Sequence, residues 1–251
     1  MRSTLAALAL GAVLASRPLA PARAQVDPHQ HHHHPAMETL PAAAAEPAAL
    51  QSGDDSHHHG HPQTGHAHDV GPAGRTYDLR WIDAMVQHHT GALRMSEFVF
   101  DIGSPGVGAL AREIWRDQAQ EIKAMGQWRR AWFPEAPVYP VALRPGGDPD
   151  AIDDLIRMSP AQIEAMRMTG APPSRDNRVH WFLEGMLLHH GGALVMAHDA
   201  LAKSSNPTLI RLARGIIVAQ RREILQLRRM LQHDGLDKPE YHQFDRLFTL
   251  D

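Results

Sequence analysis

Two short stretches of this chain carry the same metal-ligand types at the same spacing. Residues 81–96 read WIDAMVQHHTGALRMS and residues 182–197 read FLEGMLLHHGGALVMA, so the pattern Met-x-x-His-His-x5-Met occurs twice. The first copy supplies Met85, His88, His89 and Met95; the second supplies Met186, His189, His190 and Met196. Thioether plus imidazole without thiolate favours copper, and Cu(I) most of all, whereas zinc, iron and manganese prefer imidazole with carboxylate. Thiolate is excluded here because the 251 residues include no Cys. The same absence removes disulfides, iron–sulfur clusters and Cys-based zinc fingers. Copper is therefore the expected ion, with zinc or another transition metal as the lesser alternative. The competing reading is that these methionines merely fill gaps in a core, as Met often does.

Helical periodicity positions these donors. Trp81, Met85, His88, Ala92, Met95 and Val99 recur at steps of three and four and form one face. The other sides carry Arg80, Asp83, Arg94 and Glu97, so this face is the expected core stripe, with His88 pointing inward and His89 at its edge. The next helix presents Ala111, Ile114, Gln118, Glu121, Met125, Trp128 and Trp132. The third repeats the first with Phe182, Met186, His189, Ala193 and Met196, and the fourth repeats the second with Ala213, Ile216, Gln220, Glu223, Leu227 and Met230. Glu121 and Glu223 thus sit at equivalent places in apolar stripes. Burying a carboxylate is expensive unless it is paired or bound to metal, and the expected partner is the His-His pair on the facing helix. Three roles stay open: each Glu ligates a metal, or it accepts a hydrogen bond that orients a ligating imidazole, or Glu, Gln and His form a metal-free network that fixes helix register.

The helices themselves belong to a duplication. The first matched stretch recurs at an offset of 101, and the similarity resumes at 102, where Ser104-Pro105 matches Asn206-Pro207 as N-cap and first helical residue. Gln118 and Glu121-Ile122 then match Gln220 and Glu223-Ile224. Helices are predicted near 77–100, 106–132, 178–203 and 207–233, giving repeat units of about 77–133 and 178–234. The connector, rich in Pro and Gly, offers two short helix candidates begun by Asp148-Pro149 and Ser159-Pro160, the second stopped by Gly170. The predicted fold class is all-α, a four-helix bundle made of two duplicated helical hairpins.

Upstream of residue 76 the composition changes. Arg2, the apolar run from Leu5 to Ala15 and Ala22-Arg23-Ala24 read as a secretory signal over residues 1–24. Residues 25–75 have few large apolar residues and hold 11 of the 19 His, so they read as a disordered, His-rich linker suited to weak metal capture, ahead of a metal-binding domain over residues 76–251. The expected location is periplasmic or secreted, without stable membrane insertion after signal cleavage. The net charge of -3 makes no electrostatic case for nucleic acid. Nucleophile elbow, phosphate loop and zincin motifs are missing, and so is the Glu-x-x-His of di-iron carboxylate bundles from the four main helices. The reading is a copper sequestration, resistance or transfer protein rather than an enzyme; the alternatives are a metal oxidase and a purely structural bundle.

The pattern aromatic/Leu-x-Asp/Glu-x-Met-x-x-His-His-x-x-Ala-x-x-Met, followed by Leu-Ala-x-x-Ile and Gln-x-x-Glu-Ile, resembles the bacterial domain-of-unknown-function family 305 over about residues 76–234. The resemblance implies a secreted or periplasmic protein with a ferritin-like four-helix bundle and, as for some members, a link to copper binding and resistance. Other copper-handling proteins of the periplasm are the protein partners it implies. It implicates Met85, His88, His89 and Met95 with Met186, His189, His190 and Met196. Two departures matter: Asp78 becomes Val179, and Met125 becomes Leu227, which predicts a weaker or differently ligated second site.

Overall fold

The computed structural model describes residues 68–250 apart from Ser104. The signal segment, the His-rich stretch as far as residue 67 and the capping role expected of Ser104 lie outside the described residues. Four long helices form where the periodicity places them: α1 (Tyr77–Glu97), α2 (Val107–Trp132), α4 (Arg178–Lys203) and α5 (Pro207–His233), with a short α3 (Pro160–Arg167) in the connector. Asn206 starts α5 as expected, its side chain accepting from Thr208 N at 2.9 Å and Leu209 N at 3.4 Å, while Pro207 takes the first helical position, where no backbone donor is needed. Among the described residues no helix is long and apolar enough to cross a membrane.

The connector departs from expectation. Where Asp148-Pro149 predicted a helix there is a single 3-10 turn, Ile152–Asp154, between two short strands, β1 (Val141–Leu143) and β2 (Leu155–Arg157). They pair antiparallel with Val141 opposite Arg157. The Asp154 carboxylate holds the intervening loop closed by accepting from Asp148 N at 2.6 Å and from Arg144. The predicted second helix is present as α3. Ser159 and Gln162 cap it reciprocally, a capping box. It stops at Met168 in the left-handed conformation (φ 51°), two residues before the expected Gly170.

Each long hairpin packs on itself, α1 with α2 and α4 with α5, and the two are joined by α1 crossing α4. A cleft of about 580 Å³ separates the first turns of α2 from the last turns of α5, lined by Val107, Leu110, Met230 and His233. The predicted stripes of α1 and α4 are buried throughout. On α2 and α5 the same holds for Ala111, Ile114, Gln118, Met125, Ala213, Ile216, Gln220, Glu223 and Leu227, whereas Glu121, Trp128, Trp132 and Met230 are half-buried.

The outer face of α1 is a correction. Arg94 and Glu97 are exposed as expected, but Arg80 and Asp83 are buried, because the connector and the preceding chain fold over them. Asp83 receives Arg129 Nε at 2.6 Å and Val141 N at 2.9 Å, tying β1 to both helices of the first hairpin. Burial pushes its carboxyl pKa up, against the lowering pull of Arg129 and the Val141 amide. The Arg80 guanidinium donates to Thr76 Oγ1 at 3.1 Å, to Pro72 O at 2.7 Å and to Val70 O. Residues 70–72 are thereby held against α1. Glu184, the repeat equivalent of Asp83, plays a matching part: it accepts from Lys238 at 2.6 Å and from Tyr241, holding the segment after α5.

Candidate metal centre

Where α1 crosses α4, two imidazoles from equivalent repeat positions face each other. The His88 and His189 ring centroids are 3.8 Å apart and both residues are fully buried. His189 Nε2 lies 2.9 Å from the carbonyl oxygen of His88, so that nitrogen carries the proton and Nδ1 keeps the lone pair. Neither ring nitrogen of His88 has a hydrogen-bond partner. Burial, reinforced by the surrounding imidazoles, holds both pKa values well below the ordinary histidine value. Both rings are therefore neutral at pH 7, which is the form that ligates a metal.

The second histidine of each pair turns toward its own hairpin partner. His89 Nε2 is 2.7 Å from Glu121 Oε2, and His190 Nε2 is 2.8 Å from Glu223 Oε2. Each Glu thus meets the facing His-His pair as expected, but through His89 and His190 rather than through His88. His89 is fully buried, not at an edge. The two contacts differ. Glu223 is nearly closed off (6% exposed) while Glu121 is open to solvent on one side (26%). His190 Nε2 is also close to its carboxylate without hydrogen-bond alignment.

The methionines surround these contacts. Met85 lies four residues before His89 on α1, and Met125 four after Glu121 on α2, so each shares a helix face with one member of that pair. Met186 and Leu227 hold the corresponding places around His190 and Glu223. Met95 packs its methyl against Gly185 of α4, and Met196 offers its carbonyl to the Trp81 indole at 2.8 Å. All five methionines, Met85, Met95, Met125, Met186 and Met196, are buried in one core. Among the described residues no three His, Asp or Glu side chains converge as a metal-ligand cluster.

Sequence reasoning missed His68 and Met168. His68 is buried, with its ring centroid 5.3 Å from that of His88 and its Nε2 3.0 Å from Met168 Sδ. One signal was available: Val70, two residues on, is the first branched aliphatic since Leu50, and it packs on the core. Nothing comparable marked Met168.

Several proteins of known structure are similar to this chain. CopM in its Cu(I)-bound form is 29% identical, with 62% of this chain and 96% of that one covered and a TM-score of 0.46. CopM in its Cu(II)-bound form is 27% identical over 65% and 99%, TM-score 0.47. A DUF305 fragment from Deinococcus radiodurans is 25% identical over 65% and 99%, TM-score 0.44. No curated protein matches. The model of a domain of unknown function, DUF305, matches residues 78–231, well over half the length, and the chain therefore belongs to the DUF305 family.

Proposed function

We propose that this protein binds copper ions in the buried core of its two helical hairpins, as an exported sequestration or transfer protein rather than an enzyme. One observation carries the reading. His88 Nδ1 and Nε2, His89 Nδ1, His189 Nδ1 and His190 Nδ1 and Nε2 are buried without a hydrogen-bond partner. Each such atom costs about 1–3 kcal/mol; leaving aside His190 Nε2, which has the Glu223 carboxylate 2.8 Å away, the other five together are on the order of 10 kcal/mol, comparable with the total stability of a domain. A bound metal offsets the part of that cost that falls on lone pairs, one for each neutral imidazole, because these become ligands. The donors at hand are imidazole and thioether, with one carboxylate per hairpin. That set favours Cu(I) over zinc or iron.

His89 with Met85, Glu121 and Met125 would hold one ion. His190 with Met186 and Glu223 would hold a second. His88 and His189, with Met95 and Met196, occupy the space between them. The ferritin-like bundle and the export signal belong to the same proposal, supported by the long-helix hairpins and by the n-region, apolar run and small-x-small site of residues 1–24. The close His–Glu contacts favour a second reading, a metal-free network that fixes helix register.

The test uses the full chain with the ten histidines from His29 to His66 replaced by Asn, which removes unspecific capture. Competition with chromophoric chelators should show Cu(I) held more tightly than Zn(II). Equal or tighter zinc binding would overturn the thioether argument.

A further inference from the structure

Two glycines at equivalent repeat positions bring outside segments onto the core, and each does so differently. A Cβ on Gly91 would fall 1.9 Å from the carbonyl oxygen of Arg167, so only glycine lets the end of α3 dock against α1. Gln87 fixes the same place by accepting from Arg167 Nε at 3.0 Å. The next residue is Met168, the one non-glycine with positive φ among the described residues.

Gly192 receives side chains instead of backbone. A Cβ there would fall 2.5 Å from His68 Nε2 and 3.0 Å from His88 Nε2. The two nitrogens therefore lie beside one spot, which the missing side chain of Gly192 leaves clear. Met168 Sδ sits 3.0 Å from His68 Nε2. Nitrogen and sulfur bound to one first-row ion, with bonds of about 2.0 and about 2.3 Å, lie ~3–3.7 Å apart. The segment carrying His68 is clamped: Arg80 holds the carbonyls of Val70 and Pro72, and Lys203 Nζ holds that of Gly71 at 3.0 Å. His88 is fully buried and without a partner for either nitrogen.

We infer that His68, His88 and Met168 form a further Cu(I) site over Gly192, distinct from the His–Glu positions of the two hairpins. It rests on the copper reading above. Its ligands are two imidazoles and a thioether, with no carboxylate, so it selects a soft monovalent ion more sharply than the His89 and His190 positions do. Three parts of the chain meet in it: the segment before α1, α1 itself and the end of α3.

The experiment follows methyl-¹³C methionine resonances of the same Asn-substituted full chain during titration with Cu(I), with Met168 assigned from Met168→Leu. The expected result is a shift of the Met168 methyl that saturates with one equivalent. Met168→Leu and His68→Asn should each lose one equivalent of chelator-resistant Cu(I) and keep the remainder. Gly192→Ala should do the same, and Met168→Leu covers the case in which Gly192→Ala fails to fold. An unmoved Met168 methyl, with undiminished stoichiometry in Met168→Leu, overturns this site while leaving copper binding elsewhere intact. No chelator-resistant copper in the parent chain overturns the functional reading as well, so the two failures are distinguishable.

Discussion

Replacing Glu121 by leucine takes from His89 its one placed partner and removes a carboxylate from an otherwise apolar stripe. Two opposed terms set the effect on the apo protein. Stranding His89 Nε2, in a residue with no exposure, costs about 1–3 kcal/mol. A leucine at a site already about three-quarters covered returns on the order of 1.5 kcal/mol of apolar burial. The net lies between about 0.5 kcal/mol of stabilisation and about 1.5 kcal/mol of destabilisation. If Glu121 orients or shares the metal with His89, its loss weakens binding roughly 10- to 100-fold. Glu223→Leu should be gentler on folding, because that carboxylate is more deeply buried and its contact with His190 is poorly aligned, so removing it is close to neutral or stabilising. Urea denaturation with a strong chelator present measures the first quantity, and Cu(I) competition on the same samples measures the second. Copper affinity within twofold of the parent in Glu121→Leu, together with a clear loss of apo stability, would refute the metal role and leave the register network as the function of the pair.

Three further outcomes are expected. His88 and His189 have folded pKa values well below the ordinary 6.5, so the unfolded chain takes up the extra protons; apo stability is full above pH 6.5 and falls as pH drops below it, by about 3 kcal/mol for the two groups at pH 5.5. A urea midpoint unchanged between pH 7.5 and 5.5 would contradict this. Asp83→Ala strands the largely buried Arg129 and the Val141 amide and should cost about 3–5 kcal/mol, whereas Glu184→Ala, whose Lys238 partner is half-exposed, should cost no more than about 1 kcal/mol; equal losses in thermal or urea unfolding would refute the assigned difference. Leu227→Met should raise Cu(I) affinity at the second hairpin toward that of the first, read as the difference between His89→Ala and His190→Ala in chelator competition narrowing once Met is supplied.

The parts of the molecule legible in the sequence are those governed by a repeat distance. Helix period placed four long helices within a few residues and sorted Met85, His88, Met95 and their equivalents onto buried faces, and the duplication tied each Glu to the facing His pair. What stayed hidden depends on packing between elements. Adjacent residues on a helix point about 100° apart, so whether His88 or His89 meets Glu121 is set by how α1 lies between α2 and α4. The burial of Arg80 and Asp83 requires partners from residues 70–72, 129 and 141, none adjacent in sequence. Strands of three residues, such as β1 and β2, are too short for alternation to register. His68 was read with the tract it ends, because ten like residues precede it and only Val70 marks the change.

The close approach of His88 to His189, ring centroids 3.8 Å apart, has a consequence for how the two halves relate. Contact between a residue and its own equivalent is the mark of an isologous interface, the kind that a two-fold axis generates between identical protomers. Met95 against Gly185 pairs the same two helix faces. The hairpins therefore meet as the subunits of a homodimer would, with the connector serving as a tether that holds the second subunit at high effective concentration. Once tethered, the halves no longer had to stay alike. The connector and the segment before α1 settled on α1, and the tail after α5 settled on α4, where Phe244 lies against Gly191. A symmetric dimer would have to build every such layer twice; a single chain builds each once and can keep two non-identical His–Glu environments in one molecule.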